Sequence, residues 1–196
     1  MEVAKGYISN DYNNLDLSNQ KSADWKVAIK IFQTRIELRY LEPIRLLIAH
    51  EKDLPARDQN YGFTIMAIIC LLIETLYSFR KGITDNSGRG KAKAAFVSFL
   101  TESQSFKKFF TEDTAAIFCD HFRNGILHQA ETKSKSRIRA IGPAVRIIGD
   151  SIAVNRTIIF ELLEKEIRDF ISELEDPDNV ELHQSFKKKM DFICSR

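Results

Sequence analysis

An all-α domain carrying one small β-hairpin is the fold class this sequence predicts, and three observations predict it. Apolar residues recur at three- and four-residue spacing through several long stretches, Gly, Pro and Asn punctuate the gaps, and one short segment fits two strands around a Gly-Asp pair. A chain of 196 residues, 44% of them hydrophobic, is long enough for one well-packed domain with small appendages.

The elements follow in order. Met1 to Asp24 is polar and rich in Asn, Asp and Ser; it is expected to form an N-terminal segment, and it lacks the basic start and apolar core of a secretory signal. Asp24 is a candidate N-cap for a long amphipathic helix whose apolar face is Trp25, Ala28, Ile29, Phe32, Ile36, Leu38 and Leu41. Pro43 has no backbone N–H, so it should kink or restart that helix, which then continues toward His50 until Pro55 closes the region. A second helix is expected from about Tyr61 to Lys81, apolar nearly all round at first and therefore central, with Gly82 as its stop. Its most apolar run, Phe63 to Ile73, is about half the roughly 20 residues that cross a bilayer, so a buried helix is expected and no membrane partner.

Gly82 to Gly90 reads as a surface loop, Lys91 to Leu100 as helix, and Phe106, Phe109 and Phe110 as an aromatic patch. The Gly88-Arg89-Gly90-Lys91 stretch is no phosphate-binding loop, because the Gly-Lys-Ser/Thr spacing is missing and Ala92 stands where a metal-binding hydroxyl is needed. Thr111 should open a helix with Glu112 and Asp113 in its first turn, running through His128. Lys133, Lys135, Arg137 and Arg139 then lie in a polar linker, and Val145 to Val154 fits a hairpin turning at Gly149-Asp150. Asn155 is the N-cap candidate of a last major helix through Leu174, which Pro177 ends; residues 176–196 are expected to form a short C-terminal helix or tail.

Bulk charge says little: 29 Lys and Arg against 27 Asp and Glu leave +2, so any nucleic-acid site must be local. Cys70, Cys119 and Cys194, an odd set in or beside apolar stretches, are expected to be free thiols in a reducing compartment, placing the chain in the cytoplasm. The four histidines and three cysteines show no ligand spacing, so neither metal nor cofactor is expected.

The chemistry concentrates in Asp120-His121-Phe122-Arg123-Asn124-Gly125-Ile126-Leu127-His128-Gln129. Arg123 is a permanent, fork-shaped cation that matches a phosphate, and His128 gives and takes protons near neutral pH. In a regular helix they stand about 140° apart, with Asn124 and Asp120 on the same broad arc. Asp120 lies where it can bridge Arg123 within the helix. Glu74 is a carboxylate in a very apolar helix and needs a partner; Arg123, His128, Arg80 and a nearby lysine are all candidates.

Arg123-Asn124-Gly125-Ile126-Leu127-His128 resembles the signature of the HEPN superfamily, an arginine, a polar residue, a short spacer and a histidine late in a helical chain. The resemblance implies an antiparallel helical bundle over about residues 25–175, with the hairpin near 145–154 as an insertion after the motif helix. It further implies a metal-independent endoribonuclease whose site is completed by a homodimer, with Arg123, Asn124 and His128 catalytic, Asp120 and Glu74 supporting, and Lys133, Lys135, Arg137 and Arg139 contacting RNA. A toxin or antiviral-defence role, with an antitoxin or regulatory protein as a further partner, belongs to the same implication. The alternatives are a non-catalytic module of that family binding RNA, nucleotide or a protein, and a plain helical scaffold. One departure is Ala130, where some members carry an aromatic residue two positions beyond the histidine.

Overall fold

In the computed structural model, which describes residues 1–85 and 90–195, helix dominates and two small sheets accompany it. In chain order come β1 (Glu2–Ala4), β2 (Tyr7–Ile8), α1 (Ser9–Asn13), α2 (Ala23–Ile36), α3 (Glu42–Glu51), α4 (Gly62–Lys81), α5 (Lys91–Glu102), α6 (Glu112–Phe118) and α7 (Gly125–Gln129). Then follow β3 (Arg137–Arg139), β4 (Val145–Ile148), β5 (Ser151–Asn155), α8 (Arg156–Glu175) and α9 (Val180–Cys194). Wide π turns join α2 to α3 (Glu37–Leu41) and α6 to α7 (Cys119–Asn124). Of the loop expected over Gly82 to Gly90 and the phosphate-loop comparison beside it, residues 86–89 lie outside the described residues.

The chain divides into two units. One comprises Met1–Pro43, Ser78–Asn86 and Ile167–Arg196; the other comprises Ile44–Tyr77 and Ser87–Glu166. The first is centred on an aromatic cluster in which Phe32 meets Phe79, Phe170 and Phe186 with ring centroids 4.7 to 5.7 Å apart, a spacing that favours edge-to-face contact. Val3, Ala4, Tyr12 and Leu17 are buried in the N-terminal stretch, which forms the hairpin β1–β2 and the turn of helix α1. The few apolar residues there are too sparse for a periodicity test. The C-terminal stretch is likewise a full helix, α9, that buries Leu182, His183, Phe186, Met190 and Cys194. His183 lies against Trp25 at 4.2 Å and donates from Nε2 to the Leu174 carbonyl, the role of a core histidine.

Asp24 is not the cap of α2. Ser22 takes the N-cap position, and the Asp24 carboxylate accepts the Asp16 N–H at 2.7 Å from inside the first turn. Pro43 acts as expected but through a particular device: its ring would crowd the carbonyl four residues back, at Arg39, and the backbone around Arg39 opens into the π turn before α3.

The second unit holds the motif. Phe96, Phe99, Phe106, Phe110, Phe118 and Phe122 are buried, Phe118 and Phe122 with rings 4.9 Å apart, and the inner half of α4 supplies Ile65, Met66, Ile69 and Ile73. Helix α4 is long and apolar enough to cross a membrane by length and composition, and half of its most apolar window is buried. Its stop at Gly82, with φ +61°, falls where the sequence places it. The expected hairpin is present as β4 and β5, antiparallel from Val145↔Val154 to Ile148↔Ser151, with Gly149 at φ +57° in the two-residue turn. The polar linker expected over Lys133 to Arg139 contains β3, which pairs parallel with β5 so that the order is β3-β5-β4. Only Ile138 in β3 is apolar, and an edge strand of three residues with a single inward side chain gives no alternation to detect.

Candidate functional site

Thr111 caps α6, its hydroxyl accepting the Thr114 N–H, and the helical path runs on to Gln129 as expected but not as one α-helix. Residues Cys119–Asn124 take i→i+5 spacing. Such turns advance less than 100° per residue, so Arg123 and His128 stand closer around the axis than regular geometry gives. Carbonyls released by the wide turn need other partners. That of His121 accepts the N–H of Lys133 at 3.1 Å, drawing the segment after α7 back along the helix.

This returning strap dictates Gly125. A Cβ there would sit 2.5 Å from the Glu131 carbonyl oxygen and 3.3 Å from the Lys133 nitrogen, so only glycine admits the backbone at that distance. Ala130, Ser134 and Lys135 all have positive φ, three left-handed non-glycine residues within six positions. Clustered strain of this kind is characteristic of functional segments. The strap then ties the sheet to the motif helix. Ser136 Oγ shares a 2.8 Å hydrogen bond with His121 Nδ1 and accepts the Ile152 N–H at 2.9 Å, so His121 faces the interior.

A chain of polar contacts runs through the motif. Arg123 donates from Nε to Glu74 Oε1 at 2.6 Å, with Nη2 3.5 Å from Oε2 and Nη1 3.1 Å from Asn124 Oδ1. Asn124 Nδ2 donates to Asp120 Oδ1 at 3.3 Å, and Lys133 Nζ meets the same oxygen at 2.8 Å. Glu74 is thus the Arg123 partner, whereas Arg80 pairs with Glu173. Asp120 does not bridge Arg123 directly; it holds Asn124 and Lys133. The Lys133 hydrogen bond, helped by Asn124, keeps the Asp120 carboxyl below its usual range against partial burial.

Arg123 and Glu74 are about four-fifths buried, so their mutual orientation is fixed by packing as well as charge. His128, by contrast, is exposed and makes no hydrogen bond or ion pair among the described residues. Of the four expected RNA contacts, Lys133 is engaged with Asp120; Lys135 is exposed on the strap, and Arg137 and Arg139 are exposed on β3. Cys70 and Cys119 lie buried, and burial raises both thiols, Cys119 to about 11. Among the described residues no group of three or more His, Cys, Asp or Glu is arranged to hold a metal ion.

Sequence reasoning missed three features. The strap over Gly125 had one available signal, a glycine inside a helical pattern, which often marks a close backbone approach. Ser136 gave no signal. The third is a buried ion pair: Arg156 at the start of α8 and Glu51 at the end of α3 are 3% and 2% exposed and in direct contact. Glu51 also accepts the N–H of Asn60 and of Tyr61, and Arg156 Nη2 donates to Gln59 at 3.0 Å. Burial works against the charge on Glu51, yet the Tyr61 N–H, Arg156 and the Asn60 N–H together hold its carboxyl below the usual range.

Fold and site together define a mostly helical protein in which an oriented guanidinium and an exposed imidazole share one helical run. Comparison with protein-family models, with curated proteins and with solved structures finds no match.

Proposed function

We propose that the chain is a HEPN-type endoribonuclease that cleaves RNA without a metal ion, at a composite site formed by two copies. The observation that carries this reading is the division of labour inside the motif. Arg123 is held by Glu74 and Asn124, while His128, five residues on, is exposed and uncommitted. A cation for phosphate should be fixed in advance, and a proton carrier should be reachable. His128 takes the proton from a ribose 2′-hydroxyl or returns one to the leaving 5′-oxygen, and Arg123 stabilises charge on the pentacoordinate phosphorus. The products carry 2′,3′-cyclic phosphate ends, and DNA resists because it lacks the attacking hydroxyl.

Two exposed leucines support pairing of copies at this place. Leu71, three residues before Glu74, is 44% exposed, and Leu127, four residues after Arg123, is 55% exposed. An isologous contact that covers these two leucines brings each motif to its symmetry mate. The helical bundle implied by the motif and a toxin or defence role with a protein regulator belong to the same proposal.

The test is incubation of purified protein with mixed RNA, with and without EDTA. Chelator-resistant cleavage that falls about a hundredfold or more in His128→Ala and in Arg123→Ala, together with a dimer mass in solution, supports the proposal. His128 is exposed, so its removal leaves folding intact, and an unchanged cleavage rate in that variant overturns the assignment. One observation favours a second reading, a non-catalytic RNA-binding module: Nε and both terminal nitrogens of Arg123 already face acceptors. Tight binding with intact RNA would select it.

A further inference from the structure

Away from the motif, the same unit carries two neighbouring depressions that share Arg139 and Ile141 as a wall. The first, about 170 Å³, is lined by Gln59, Gly62, Ile138 and Arg156 besides the shared pair. The second, about 240 Å³, is lined by Pro143, Arg146, Ile148 and Ala153 besides that pair. No carboxylate lines either one.

Arg156 is the informative residue. Its side chain is 3% exposed, and Nη2 alone meets Glu51 Oε2 in an ion pair and donates to Gln59. Nε is buried without an acceptor, and Nη1 has none among the described residues. A sealed guanidinium with unused donors beside a cavity is a poor structural choice, since each unmade bond is a penalty, but it suits a ligand with oxygens to offer. Gly62 marks a close approach on this wall: a Cβ there would sit 2.9 Å from Ile138 Cγ2, while Arg156 Nη1 lies at an ordinary contact distance of 3.8 Å.

The sheet adds three more cations, of which Arg139 and Arg146 line the depressions. Arg137 and Arg146 both stand opposite Ala153, and Arg139 lies two residues along from Arg137, so register puts all three on one face of β3-β5-β4. Like charges flanking one small residue on a sheet repel, and an arrangement of that kind is stabilised by an anion. After Glu51 neutralises one charge, Arg156, Arg139 and Arg146 leave two positive charges along the two neighbouring depressions. Ile141, Pro143 and Ile148 supply apolar walls to the second.

We propose that these depressions bind a mononucleotide, its phosphate between Arg156 and Arg139 and its base in the depression over Ala153 beside Arg146. A carboxylate would be satisfied by one fork, whereas guanidinium groups approaching from a wall and from a rim suit the several oxygens and double charge of a phosphate monoester. The apolar walls and the flat Arg146 face suit a planar ring. This site uses neither Arg123 nor His128 and shares with the nuclease reading only Arg139, one of the four residues expected to contact RNA.

The test is calorimetric titration of the intact protein with the four ribonucleoside 5′-monophosphates, adenosine, inorganic phosphate and a single-stranded RNA oligomer. At least one monophosphate is expected to bind, and adenosine about tenfold or more weaker. Inorganic phosphate should compete. Arg139→Ala and Arg146→Ala, both at exposed positions, should each weaken nucleotide binding about tenfold while the circular dichroism spectrum is unchanged. No binding at about 1 mM, equal binding of adenosine, or retained affinity in both variants overturns the proposal. Binding of the oligomer but of no mononucleotide overturns it too and makes the face an RNA interface.

Discussion

Gly125→Ala separates what helix propensity predicts from what the tertiary structure predicts, because the two differ in sign. Alanine in place of a helical glycine gains about 1 kcal/mol from propensity alone. Against this stands the Glu131 carbonyl oxygen, 2.5 Å from the Cβ position, where ordinary contact begins at 3.4 Å. The strap must therefore retreat by about 0.9 Å, from 2.5 to 3.4 Å. That movement takes the Lys133 N–H out of reach of the His121 carbonyl, now 3.1 Å away, and lengthens the Glu131 N–H contact to the Gly125 carbonyl, already 3.5 Å. Losing the first bond and leaving its groups unpaired is worth about 2–3 kcal/mol, so the net change is about 1–2 kcal/mol destabilising. For a chain of this length that lowers Tm by roughly 2–8 °C. Differential scanning calorimetry of the two proteins decides the matter. A Tm equal to or above that of the parent would mean that the strap does not lie over Gly125, and the account of the motif's local geometry would fall with it.

Three further outcomes are expected. Glu51→Gln leaves the Arg156 charge buried without its counter-ion and should destabilise by about 3 kcal/mol, measured by urea unfolding at neutral pH. The parent carries a pH signature of the same pair. The folded carboxyl titrates below its ordinary value of 4.5, so its contribution is complete above that pH and is lost as pH falls through the lower folded value; Glu51→Gln should flatten stability against pH in that acid window, and an unchanged slope would refute the assignment. Asn155→Ala removes the cap of α8, whose Oδ1 accepts the Thr157 and Ile158 N–H groups and whose amide donates to the Gly142 carbonyl; a loss of about 1–2 kcal/mol is expected in the same urea experiment, and a loss below about 0.5 kcal/mol would refute the cap. Cys70, Cys119 and Cys194 are all buried, and burial raises their thiols, so a thiol-specific reagent at neutral pH should label none rapidly in the native state and all three in urea.

Local rules carried in the sequence determined the helices and their ends. The 3.6-residue spacing of apolar side chains marks α4 and α8 almost to the residue and α2 along its main run; Gly82 needs a positive φ, Asn155 offers a capping oxygen and Gly149-Asp150 a tight turn, each an effect between near neighbours. The motif was legible for the same reason, since a guanidinium and an imidazole on one helix are set by spacing alone. Tertiary structure decided the rest, because the deciding partner lies far along the chain. Glu74 meets Arg123 across 49 positions, Glu51 meets Arg156 across a still longer separation, and β3 becomes a strand only because β5 offers it a free edge. Even the phase of the motif was decided this way: a π turn is tolerated at Cys119–Asn124 because the returning strap satisfies the carbonyl of His121, and no local pattern announces a hydrogen bond whose donor arrives twelve residues later.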